Sequence, residues 1–238
     1  EDLLSTHAPM QANLSGQGSI GLTATATLDC RMSLVDTFLR GPQFFAARAK
    51  EIAALPPADI SDAMQTEHRC CVMAAIMQSS AALEAEAWEV LNHGPSHHLA
   101  SNGSDQNAAK FLKPLAEIIE KESPLERFFL LLHLLRNQRL DRSIKSWQNA
   151  ALLVKLRNAL THYESLPNSQ VDAKKLCVSL KNLKHPRAPF VHETSPYFPN
   201  QCLNAACASW AQKSAMDFLD HFYERLGLPD RFLHLRKP

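Results

Sequence analysis

Read at 100° per residue, the apolar positions of this chain recur every three or four residues rather than every second one, a pattern that predicts helices and almost no sheet. The richest stretch is KSWQNAALLVKLRNALTHYESL at 145–166. There Leu152, Leu153, Leu156, Ala159, Leu160 and Tyr163 fall on one side and predict an ordinary core face. The other side is unusual: Trp147, Ala150, Ala151 and Val154 share it with Arg157, Asn158, Thr161 and His162. Its small side chains admit another backbone closely, so this face is expected to be buried against a partner with the polar groups at the seam. Asn158 and His162, four apart, lie on one line of the helix.

The same periodicity predicts helices over 28–54, 61–91, 105–121, 124–139, 170–183 and 200–226. Gly41-Pro42 is expected to interrupt the first and Pro56-Pro57 to stop it. Asp59 or Ser61 can cap the second, which should end before Asn92-His93-Gly94-Pro95. Ser123-Pro124-Leu125-Glu126 has proline near a helix start and an acid in the first turn. The run FFLLLHLL at 128–135 is apolar all round, which predicts a central helix and a core histidine at His133. Gly227, with Pro229 just beyond, closes the last helix. Residues 1–27 lack a helical period and read as an extended arm with a short strand at 20–27. HGPSHHLASNGSDQ and the four-proline stretch KHPRAPFVHETSPYFPN read as loops. The expectation is one all-α domain over 28–238, a bundle of six or seven helices with an irregular N-terminal extension.

Composition agrees, with 45% apolar residues and only 7 Gly against 11 Phe. Charge changes the picture more. The chain carries a net +1, yet residues 121–187 hold 13 Lys and Arg against 5 Asp and Glu, leaving an acidic balance elsewhere. A basic segment around the 145–166 helix is what a phosphate-bearing partner needs, and also what a solvated face looks like. The six cysteines show no C-x-x-C and no framework, the Cys70-Cys71 pair reads as core packing, and a reduced, cytoplasmic protein is expected. No apolar run is long enough for a bilayer and no signal-peptide pattern opens the chain. The first residue is Glu1 rather than Met, which reads as a trimmed or excised sequence.

The run RNALTH, from Arg157 to His162, resembles the Arg-Asn-x-x-x-His signature of HEPN-domain proteins, all-helical dimers that include many metal-independent endoribonucleases of toxin and antiviral systems. The resemblance is carried by about 20 residues, and the helical pattern of 60–226 is compatible with such a domain. Two decoys exist: Arg187 to His192 has the same spacing within RAPFVH, and Arg127 to His133 a looser one. Only 157–162 has Asn directly after Arg and a place late in a long amphipathic helix. The resemblance implies a homodimer in which two motif helices meet. Some family members paired with nucleotidyltransferase antitoxins carry Tyr two places after the His. Here Tyr163 follows directly and Glu164 holds that place.

The residue types suit the chemistry. Histidine exchanges protons near neutral pH, arginine is a permanent planar fork for phosphate oxygens, and an asparagine amide can orient either. His162 is therefore the expected acid/base, Arg157 the transition-state stabiliser and Asn158 the orienting group, with Lys155, Arg139 and Arg142 as RNA contacts. No metal or cofactor is expected. His93, His97 and His98 match no zinc spacing, and Gly94-Pro95 should keep His93 and His97 off one regular helix. The absence of a Gly-rich phosphate loop, a nucleophile elbow and a close carboxylate pair argues against an NTPase, a serine hydrolase and a two-metal nuclease. Two other readings stay open. One is a non-catalytic HEPN-like module binding RNA, nucleotide or a protein partner such as an antitoxin; the other is a helical scaffold with a chance motif.

Overall fold

A computed structural model describes residues 33–97, 114, 117–164, 175–228 and 231–235. Six α-helices follow one another among them: α1 Val35–Ala53, α2 Asp62–His97, α3 Pro124–Arg136, α4 Lys145–Thr161, α5 Lys175–Lys181 and α6 Ala205–Leu226. No strand occurs among the described residues, so the architecture there is all-α. The N-terminal arm and most of the predicted 105–121 helix lie outside the described residues.

The long helix α2 is the hub. It packs against α1, α3, α4 and α6, and α6 in turn touches α1, α3 and α4. Val72, Ala75, Ile76, Ala82, Leu83 and Ala87 of α2 are completely buried. Alanines among them let neighbouring backbones approach, while Ile76 and Leu83 fill the space between.

Two expected breaks do not occur. Helix α1 runs straight through Gly41-Pro42. Pro42 gives up one backbone hydrogen bond, but Val35, Leu39, Pro42, Ala46, Ala49 and Ile52 form one unbroken buried stripe across it. Burial of that stripe on α2 outweighs a single lost bond. Gly41 faces the same seam, where a Cβ would collide with the side-chain amide of Gln78. Helix α2 likewise passes Leu91 and continues to His97, so His93 and His97 share a helix after all.

Helix α3 starts as expected, with the Ser123 hydroxyl accepting from the Glu126 N–H at 3.3 Å and Pro124 in the first turn. It ends earlier, where left-handed Asn137 donates its N–H to the His133 carbonyl at 2.8 Å. It is not central. Phe128, Leu131, Leu132 and Leu135 are buried, whereas His133 and Leu134 face solvent. Cys70 is also exposed and Cys71 only half-buried, against the expectation of core packing for that pair. Gly227, at φ 83°, closes α6 as expected, and the Arg136 guanidinium donates to the Leu226 carbonyl at 2.9 Å.

The largest departure concerns α4. Trp147, Ala150 and Val154, expected to need a second copy as cover, are buried within their own chain. The Trp147 indole packs edge-on against Phe218 of α6, ring centres 5.9 Å apart. The seam foreseen on this helix exists, but α2 and α6 form its other side. The premise that this apolar face demands a dimer therefore fails.

A few polar groups lie in the core. Tyr223 of α6 donates its hydroxyl to the Glu86 carboxylate of α2, and burial pushes the Glu86 pKa up. His68 is buried edge-on to Phe190, 4.9 Å between rings, and burial, seconded by the Arg69 charge, lowers its pKa. Unfolding frees His68 to bind a proton at its ordinary pKa near 6.5. The unfolded chain then holds more protons than the native one, and this contribution to stability is lost as pH falls below about 6.5. Denaturant midpoints measured on the acid side should show that loss, and His68→Leu should flatten the slope. Trp147→Ala should lower unfolding free energy by about 3–5 kcal/mol, with a loss independent of protein concentration, because the cavity opens inside one chain.

Candidate functional site

The chemistry-bearing end of α4 is its last turn. The helix stops at Thr161, short of the expected 166, and His162 leaves helical geometry as the C-cap, at φ −110° and ψ 49°. Its backbone N–H still donates to the Asn158 carbonyl at 2.9 Å. Both side chains are exposed, so an imidazole and an amide stand together at a helix end that solvent reaches. Residues 165–174 lie outside the described residues.

Arg157 points elsewhere. It lies on the line of Trp147, Ala150 and Val154 and faces α2, where its guanidinium forms an ion pair with Glu84 and its Nε donates to the Ser80 hydroxyl at 3.3 Å. Thr161, one turn on, donates its hydroxyl back to the Arg157 carbonyl at 3.0 Å and lies 3.9 Å from the Met77 sulfur. A half-buried carboxylate thus holds the arginine to α2 and offsets its charge.

His162 lines a small cleft of about 80 Å³ with Tyr163, Glu164, Leu176, Cys177 and Phe198. Tyr163, assigned above to the core face, is half-exposed, its ring centre 6.1 Å from that of Phe198. Arg157 is not among the residues of this cleft. Within one chain the motif residues therefore share a helix end without converging on one hollow. The decoy pair behaves differently: Arg187 and His192 line one open hollow, in which the His192 ring meets the Thr194 hydroxyl at 2.7 Å. The buried Cys207 beyond the cleft is inert, its thiol pKa pushed up to about 12 by burial.

On the other flank of α4 a groove of about 400 Å³ runs between α4 and α5. Two expected RNA contacts, Lys155 and Arg142, line it, together with Lys145 and Lys175. Arg139 is exposed and is not part of that lining. Arg142 pairs with Glu126 at 2.7 Å and lies over the Phe129 and Trp147 rings, at 4.8 and 5.4 Å. The sequence carried no signal for Glu84 and Ser80, whose importance depends on how α2 and α4 are aligned. Lys145 and Lys175 were visible only as part of a basic segment.

No protein-family model, curated protein or solved structure matches the chain. The resemblance to HEPN domains thus rests on the residues of α4 themselves. Among the described residues no helix is long and apolar enough to cross a membrane.

A double-mutant cycle on Glu84→Gln and Arg157→Leu should give a coupling of about 1 kcal/mol by denaturant unfolding, between the values for exposed and buried ion pairs. Strictly additive losses would mean that the pair contributes nothing to α2–α4 docking.

Proposed function

We propose that the chain is a HEPN-type, metal-independent endoribonuclease whose reacting groups stand at the C-terminal end of α4. The observation that carries this reading is the pairing of exposed Asn158 and His162 at that end, one residue from a guanidinium fixed by Glu84 and Ser80. In the proposed reaction a base removes the proton of an RNA 2′-hydroxyl, whose oxygen attacks the adjacent phosphorus. The bond to the 5′-oxygen breaks as an acid protonates it, leaving a 2′,3′-cyclic phosphate and a 5′-hydroxyl. His162 serves as one of the two proton-transfer groups.

Arg157 stabilises the extra negative charge of the pentavalent phosphate with the guanidinium N–H groups that Glu84 and Ser80 leave available. A pre-anchored guanidinium loses little freedom when phosphate arrives, although Glu84 weakens its net charge. One chain offers one such imidazole, and the resemblance implies that His162 of a second copy supplies the complementary proton transfer. A homodimer is thus part of the proposal on chemical grounds, with a role in defence or as a toxin following from the resemblance alone. The Glu84–Arg157 pair also favours a second reading, a HEPN-like module that holds RNA without cutting it.

Purified protein incubated with single-stranded RNA should cut it in the presence of a chelator and leave 2′,3′-cyclic phosphate ends. His162→Ala should slow cleavage by about 10²–10⁴-fold, Arg157→Lys should also impair it, and His192→Ala should not. Intact RNA, or cleavage indifferent to His162, would leave only the binding reading.

A further inference from the structure

The α4–α5 groove has its own chemistry. Lys145, Lys155 and Lys175 are exposed on its walls and form no ion pair among the described residues. Among the described residues no aspartate or glutamate lines it. The Glu126 carboxylate neutralises Arg142, leaving three lysine charges facing one volume. Leu152, Leu176 and Ala151 give the groove apolar lining, and Asn149 and Asn182 line it as well. A volume of about 400 Å³ falls within the ordinary range for small-ligand sites, about 300–1,000 Å³. Leu176 also lines the His162 cleft, so one side chain borders both hollows.

We infer that this groove binds a nucleoside phosphate unit, with the base on the Leu152–Leu176 surface, the phosphate on the lysines and the Asn149 and Asn182 amides at the base edge. Three lysines satisfy the phosphate charge, the apolar lining accepts a flat ring, and an amide both donates and accepts at a base edge. An acidic peptide would use the lysines but leave the apolar lining without a partner. Because Leu176 separates the groove from His162, a strand seated in the groove would bring its next phosphate toward the imidazole. The strand form of this inference rests on the RNA reading above, whereas occupation of the groove does not require cleavage.

The test is therefore a binding measurement on the full chain with ligands it cannot cleave: a short 2′-O-methyl oligonucleotide and adenosine 5′-monophosphate. On the oligonucleotide, three lysines each meeting a strand phosphate give a slope of about −2 in log affinity against log salt, an affinity loss of roughly 20-fold over a fourfold rise in salt. Each of Lys155→Glu and Lys175→Glu should lower affinity at least as much as losing one such contact and reduce that slope. His192→Glu, outside the groove, should leave both unchanged, and unaltered thermal melts check the fold of each variant. Oligonucleotide binding that the lysine variants weaken supports the strand form, and mononucleotide binding that they weaken supports a free nucleotide. Binding of neither ligand, binding indifferent to both lysines, or binding of a poly-glutamate peptide alone would overturn the inference. A protein that binds in this way but never cuts RNA would fail as a nuclease and keep the groove.

Discussion

Burial of α2 on nearly all sides is the constraint on which the rest of the structure depends. In a helix enclosed by α1, α3, α4 and α6, each inward polar group stabilises the fold to the extent that it finds a partner. Glu86 does so with the Tyr223 hydroxyl, and Ser79 donates to the Ala75 carbonyl at 2.7 Å. Ser80 and Glu84 do so with Arg157. The position of the α4 end thus follows from what α2 needs as much as from α4 itself. A phosphate that recruited Arg157 would do so next to a carboxylate it must outcompete or share.

That dependence divides the labour around α4. The face toward α2 and α6 is committed to packing and to the Arg157 ion pair. The C-terminal cap presents Asn158 and His162 to solvent, and the flank toward α5 presents exposed lysines that form no ion pair among the described residues, beside apolar Leu152 and Leu176. On the proposed reading, proton transfer and phosphate attraction fall to neighbouring hollows that share Leu176. Such a separation suits a polymeric substrate, since a strand held by its backbone in one place can be presented for chemistry in the next.

Local signals in the sequence were good guides wherever the physics was local. Ser123-Pro124, Gly227 and the period of α4 and α6 placed helices and caps correctly, because capping and periodicity depend on residues within a turn or two. They misled where tertiary burial overrode them. Gly41-Pro42 looked like a break, yet the stripe from Val35 to Ile52 packs across it. FFLLLHLL is apolar enough to predict a central helix, yet His133 and Leu134 lie on a side that the fold leaves exposed. The Trp147 face must be covered, but nothing in one chain's periodicity distinguishes a second copy from another helix of the same fold. Glu84 was invisible for the same reason. Its role exists only once α2 and α4 are in register, 73 residues apart in sequence.

The proposed contact is that of a phosphate-bearing strand with the cap and flank of α4. It is tested most directly by amide and imidazole NMR shifts on adding a 2′-O-methyl oligonucleotide to isotope-labelled protein. The largest shifts are expected at Lys155, Asn158, His162 and Lys175, with little change at Phe44 or His133 on distant exposed faces. Shifts confined to those distant faces, or to the hollow holding Arg187 and His192, would contradict it.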